Sequence, residues 1–221
     1  MGKKIEEKQQ EKVQKQAEPE SSVAIKLRPL AIRGAQVMIE NMPGSPLVAH
    51  AWSQKAINML REGQQGGGKK RIRDARNPEE DFEGARYRLP DGSDGFPVTT
   101  IKGSITDAAH KDLGVEKTLI RKSLFIEADA LDARGIPLVR IVSEPPTMRE
   151  DMVRVGMGKS SLAYRPQYFP WQMTLRLTYD ADCLTAETLL NLIERAGYGV
   201  GIGEWRPQCN GDWGRFRVKS D

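Results

Sequence analysis

The stretch Ala196-Gly197-Tyr198-Gly199-Val200-Gly201-Ile202-Gly203-Glu204-Trp205-Arg206-Pro207, closed by Gly211-Asp212-Trp213-Gly214-Arg215-Phe216, decides how this chain is read. Just before it, over 185–195, Leu189, Leu192 and Ile193, continued by Ala196, recur at three-to-four-residue steps and predict an amphipathic helix. Thr185 suits its N-cap, and Gly197 suits a C-terminal stop. Gly199, Gly201 and Gly203 then stand at every second position. That spacing packs poorly and costs backbone entropy. It is expected where backbone passes close to something, or where left-handed dihedrals are needed. Two readings follow. One is a turn-rich hairpin whose glycines serve geometry. The other is a glycine-rich loop laid against a sugar-phosphate backbone, with Arg206 and Arg215 beside it and free N–H groups to offer. It is neither a P-loop nor a dinucleotide fingerprint, because no Gly-Lys-Ser/Thr follows and the helix precedes the glycines.

The clearest strand is 171–178. Trp171, Met173, Leu175 and Leu177 fall on one face, and Gln172, Thr174, Arg176 and Thr178 on the other. Strand, helix, glycine-rich loop and a final Gly-Arg-Phe strand make the second half of a βαββαβ unit. Upstream, residues 23–39 read as its first strand, 47–60 as a helix, and 102–111 as another helix. The runs 124–128 and 138–142 read as strands joined at Arg134-Gly135. Lys102-Gly103, taken at a helix N-terminus, is a favourable arrangement for an anion. Pro78 with Asn77 caps a short acidic helix, and Leu89-Pro90-Asp91-Gly92-Ser93-Asp94-Gly95 is a tight polar hairpin.

The helix, glycine-rich loop and Gly-Arg-Phe strand resemble the RAMP superfamily, the ferredoxin-like RNA-binding subunits of CRISPR effector complexes. The segment Phe96-Pro97-Val98-Thr99-Thr100-Ile101-Lys102-Gly103-Ser104-Ile105-Thr106-Asp107-Ala108-Ala109 resembles that family's proline, polar turn, Lys-Gly and helix. Both stretches are also similar to a group of uncharacterised phage-encoded proteins. The resemblance covers about residues 23–218. It implies an α+β fold with a ferredoxin-like (RRM-like) βαββαβ core. It also implies a single domain over 23–221, with insertions at about 62–95 and 143–170. The Lys-, Glu- and Gln-rich run over 1–22, with almost nothing apolar to bury, is expected to be a disordered charged tail. By position, the excursion after Pro145-Pro146 matches the extended thumb hairpin of CRISPR backbone subunits; a hairpin packing on its own domain is the equal alternative.

Length and composition bound the function. The chain has 221 residues, 38% hydrophobic and 29% charged, with net charge +4 and pI near 9.0. The charge suits an anionic partner. No run approaches the roughly 18 apolar residues of a membrane span, and Met1-Gly2-Lys3-Lys4 opens a polar run without a signal-peptide core. Cys183 and Cys209 form no CxxC pair, so thiols are expected reduced and no metal or cofactor is expected. Motifs of hydrolases and metalloenzymes are absent. Asp180 and Asp182 suit a turn and a cap.

The candidate nucleic-acid contacts are therefore basic and glycine-rich. They are Lys69, Lys70, Arg71, Arg73 and Arg76 in a basic loop; Lys102 and Gly103; Arg149, Arg154 and Lys159 in the excursion; and Gly199, Gly201, Gly203, Trp205, Arg206 and Arg215 in the closing stretch. Trp213 joins Trp205 as an aromatic beside arginines, whereas Phe216 suits the core. His50 is the weak catalytic candidate. RNA-cleaving members of the superfamily use a histidine near their first helix, but no second acid or base lies close to it in sequence. The leading expectation is a non-catalytic protein that binds single-stranded RNA or DNA and assembles with itself as a filament along the strand. Other effector-complex subunits are further candidate partners. Its expected setting is the cytoplasm of a bacterium or of a phage-infected host, with no membrane partner. A metal-independent endoribonuclease and a phage structural or assembly protein are the alternatives.

Overall fold

The computed structural model describes residues 29–64, 77–154 and 160–219. The chain divides into Met1–Leu30 and Ala31–Asp221. In the first unit the described residues are Pro29 and Leu30, both exposed. The tail expected over 1–22, the basic loop from Lys69 to Arg76, and Lys159 lie outside the described residues.

The second unit is a mixed helix and antiparallel-sheet structure. Its main sheet is built on β1 (Ile32–Asn41) and β10 (Trp171–Asp180), paired antiparallel from Ile32↔Asp180 to Glu40↔Gln172. The order across this sheet is β11 (Phe216–Val218), β1, β10, β4 (Leu124–Glu127), each antiparallel to its neighbour. The short β7 (Val142–Ser143) also pairs with β10. The alternation expected for 171–178 is realised: Trp171, Met173, Leu175, Leu177 and Tyr179 are buried in β10. Register carries that face across the sheet through Val37↔Leu175, Ile39↔Met173 and Leu177↔Ile126. A one-residue slip would turn every one of these side chains to the wrong side.

Two helices cover the apolar face. α3 (Val98–Leu113) contributes Ile101, Ile105, Ala108 and Ala109, and α5 (Ala186–Arg195) contributes Leu189, Leu192 and Ile193 to one continuous core. α5 starts as its sequence predicts, with Thr185 accepting from Thr188 N–H. Its end differs. The chain continues through a π-helical turn over Ala196–Val200, and Gly197 is buried inside that turn. A Cβ at Gly197 would fall 2.0 Å from the Phe216 carbonyl oxygen, so close packing against β11 fixes this glycine. α3 ends at Gly114, in the left-handed region at φ 66°.

Several sequence expectations shift. The helix expected over 47–60 divides into β2 (Leu47–Val48) and α1 (Gln54–Gln64). Leu47, Val48, Ala49 and Ala51 are buried, and pairing of Leu47 with Tyr168 draws the start of the segment into an extended course. α3 begins at Val98, four residues before the expected start, so Lys102 and Gly103 stand in its second turn and not at its N-terminus. The strands read over 124–128 and 138–142 exist as β4 and β6 (Pro137–Arg140), but they do not pair with each other. β4 joins β10, whereas β6 lies between β3 (Gly95–Pro97) and β5 (Ala130–Leu131). Of the strand expected over 23–39, residues 23–28 lie outside the described residues, and the described part forms β1 from Ile32. The short acidic helix is α2 (Pro78–Gly84), capped by Asn77 accepting from Glu79 N–H. α4 (Lys117–Ser123) had no counterpart in the sequence reading. After Pro145 and Pro146 the chain forms a long hairpin of β8 (Thr147–Arg154) and β9 (Ser160–Tyr168), which continues into β2.

Candidate nucleic-acid interface

The glycine-rich stretch is sewn onto the segment that follows β1. Gly201 N–H donates to Ala196 O (2.7 Å), Ile202 N–H to Gly214 O (2.9 Å), and Glu204 N–H to Val48 O (3.0 Å). Gly214 N–H donates to Pro46 O (2.8 Å), and Arg215 N–H to the buried Ser45 Oγ (2.8 Å), which itself donates to Asp212 O (2.9 Å). These donors are engaged within the chain. Gly201 and Gly203 take φ of 70° and 78°, and a Cβ would fall 2.8 Å from Pro207 Cδ and 2.6 Å from Val48 O respectively. Both glycines are therefore required by the protein's own packing. Gly199 is exposed, with open space where a side chain would stand.

What this scaffold displays is aromatic. Trp205 adopts φ 53°, a left-handed conformation rare for a bulky residue, and its side chain is about half exposed. Its ring lies 5.9 Å from that of Trp213, and the Arg149 guanidinium from β8 sits 4.1 Å over the Trp213 ring. Arg149 is braced by Asp151 Oδ1 (2.8 Å) and Gln167 Oε1 (3.1 Å). The sequence-predicted Arg149 and Trp205 are thus brought together through Trp213. Arg215 lies 4.9 Å over the exposed Tyr198 ring, a residue the sequence reading did not single out. Arg206 is turned inward to Gly203 O (3.0 Å) and Gln208 Oε1 (3.1 Å). Arg154 is exposed at the far end of β8. Phe216 is fully buried and packs edge-on to Trp171.

Lys102 does not join this cluster. It donates to Arg121 O (2.7 Å) and lies 4.2 Å over Phe125 of β4, with its ammonium pKa lowered by burial first and by Arg121 second. Gly103 is exposed on the same helix.

His50 has an acid–base neighbour that the sequence did not reveal. Its Nδ1 is 3.5 Å from Glu204 Oε1, because Glu204 N–H is tied to Val48 O two residues away. The Tyr87 hydroxyl donates to His50 O (3.3 Å). The Glu204 carboxyl is held below its ordinary range, first by His50 and then by the charges of Arg165 and Arg206, against the opposing effect of burial. Arg165 Nη1 stands 3.9 Å from Glu204 Oε2. Arg165 and Glu204 are the residues sequence reasoning missed here. No strand was expected at Arg165, and β9 does not alternate, so its burial had no sequence signal. His110, by contrast, faces Val115 O at the end of α3 as a surface residue. Asp180 accepts from Asp182 N–H, as expected of a turn.

Both cysteines are free and exposed. Among the described residues there is no cluster of metal-ligating side chains, and no helix is long and apolar enough to cross a membrane.

No known protein family and no curated protein matches this chain. Solved structures that resemble its course include the following two. A chain in the cryo-EM structure of the Type III-B Cmr-beta bound to cognate target RNA is 9% identical with a TM-score of 0.46, over 86% of this chain and 59% of that one. The crystal structure of Cmr6 from Pyrococcus furiosus is 11% identical with a TM-score of 0.41, over 86% of this chain and 100% of that one. The chain thus spans 59% of the length of the first of these, and the two likenesses are of backbone course alone.

Proposed function

We propose that this chain is a non-catalytic, RAMP-type protein that binds single-stranded RNA or DNA and assembles with copies of itself along the strand. The observation that carries the reading is the ladder of Arg149, Trp213 and Trp205: a guanidinium 4.1 Å over one indole, with a second indole 5.9 Å beyond and half exposed. Aromatic rings beside arginines give sequence-tolerant stacking on bases, with positive charge for the backbone. The left-handed backbone at Trp205 supports the same reading, since a strained residue at an exposed aromatic is retained where it is used. The ferredoxin-like reading of the fold rests on the order β11-β1-β10-β4 with α3 and α5 in the crossovers. The reading is tested by purifying the protein at low salt and sequencing the co-purifying nucleic acid. Particles that lengthen with added strand support assembly along it; nuclease treatment without effect on particle size contradicts it.

A second reading, a metal-independent endoribonuclease, is favoured by one contact: His50 Nδ1 at 3.5 Å from Glu204 Oε1 supplies paired acid and base groups. Cleavage of single-stranded RNA that is lost in His50→Ala, without added metal, is its expected signature.

A further inference from the structure

Arg165 is 6% exposed, and its Nε and Nη1 are buried without a hydrogen-bond partner. A buried guanidinium left in that state is costly. Its carboxylate neighbour is Glu204, whose Oε2 is 3.9 Å away while Oε1 faces His50. Directly across the hairpin stands Arg149, the register partner of Arg165, so two like charges face each other on one side of β8 and β9. Asp151 answers Arg149 with Oδ1, while its Oδ2 is buried and unpartnered. Three guanidiniums (Arg149, Arg165, Arg206) thus meet two carboxylates (Asp151, Glu204), with His50 beside them. The cluster is short of negative charge.

We infer that Arg165, opposite Arg149 and beside His50 and Glu204, forms a receptor for a phosphate monoester. The planar guanidinium fork matches phosphate oxygens in pairs, and a dianion supplies both the acceptors and the charge that the cluster lacks. A water molecule supplies acceptors without charge. The buried Nε and Nη1 select a terminal group. A monoester turns three oxygens inward, whereas a mid-strand phosphodiester carries a second nucleoside that an enclosed arginine excludes. Arg149 belongs both to this cluster and to the Arg149–Trp213–Trp205 ladder, but the site is centred on Arg165 and stands without the nucleic-acid reading. The monoester is either a free small phosphate or the phosphorylated end of a strand.

The test is thermal melting of the full chain in inorganic phosphate against chloride at equal ionic strength. A phosphate-specific rise in Tm of about 3–6 °C is expected once phosphate is at roughly ten times its Kd. Arg165→Met should abolish the rise. Should that variant fail to fold, Arg165→Lys keeps the charge without the fork and should lose most of the rise. Absence of a phosphate-specific rise in the wild-type protein, or its full retention in the folded variant, overturns the site and assigns Arg165 to Glu204 instead. Anisotropy with 5′-phosphorylated and 5′-hydroxyl oligonucleotides then separates the sources. Tighter binding of the phosphorylated strand, lost in Arg165→Met, assigns the site to strand ends; equal binding beside a phosphate-specific rise assigns it to a free phosphate. Binding of the 5′-hydroxyl strand with no phosphate-specific rise removes this site and leaves the nucleic-acid reading standing.

Discussion

The Arg149 guanidinium lies 4.1 Å above the Trp213 ring and joins the β8–β9 hairpin to the glycine-rich stretch. The two residues are far apart in sequence, and each is supported from its own side. Asp151 and Gln167 hold the arginine, and Trp205 flanks the indole. Arg149→Lys keeps the charge but loses the planar stack. Affinity for a single-stranded oligonucleotide should drop about three- to thirtyfold, while the salt slope stays as in the wild type. Unchanged affinity by fluorescence anisotropy would remove this contact from the interface.

Trp205 offers a separation of stability from binding. At φ 53° it occupies a conformation that glycine takes without cost. Trp205→Gly should therefore leave the melting temperature equal or higher. Loss of one stacked base should weaken oligonucleotide binding roughly five- to hundredfold. Calorimetry beside anisotropy reads both, and a variant that binds like the wild type would mark Trp205 as structural.

The alternating glycines should divide by position. Gly201→Val forces a side chain against Pro207 and Arg206, and Gly203→Ala forces one against the Val48 carbonyl, both at positive φ. Each should cost about 1–3 kcal/mol or more, with affinity falling only as far as the folded fraction. Gly199→Ala meets open space and should leave the melting temperature unchanged or raise it slightly, by removing unfolded-state freedom. If the three substitutions cost the same in a denaturant titration, the packing account of Gly201 and Gly203 is wrong.

Much of the fold was legible where one period dominates. The alternation in β10 and the helical spacing of α5 each have a single buried face, so hydrophobic pattern and structure coincide. Residues 47–51 misled because their apolar run is buried on all sides, and Tyr168 of a distant strand determines that its start runs extended. Lys102 misled because α3 opens at Val98, where Pro97 fills the cap position without a side-chain cap to announce it. At the candidate site, sequence supplied Arg149 and Trp205 singly, and their shared contact with Trp213 brings them together. Glu204 and Arg165 were invisible. One gains its meaning from His50, far along the chain, and the other from its burial in β9 beside Glu204.

Acid should weaken the fold through carboxylates with depressed pKa values. Glu204 is lowered first by His50, and Asp107 first by Lys117, whose Nζ is 2.6 Å from it. A carboxylate with a lowered folded-state pKa contributes stability above its unfolded value, near 4, and loses it as pH falls through the folded one. Melting temperature should decline from about pH 5 downward. Asp107→Asn should flatten that decline, and Glu204→Gln should do so more weakly because Glu204 is more exposed. A decline equally steep in Asp107→Asn would assign acid sensitivity elsewhere.

The central claim is binding of single strands, and a salt titration tests it most directly. Fluorescence anisotropy with a labelled single-stranded homopolymer, repeated across salt concentrations, should show saturable binding. Log affinity should fall linearly with log salt, by roughly 0.7 per phosphate contacted. Neutralising Lys69, Lys70, Arg71 and Arg73 together should flatten that slope without unfolding the protein. Absence of saturable binding by the wild-type chain at low salt, to RNA and DNA strands alike, would contradict the account.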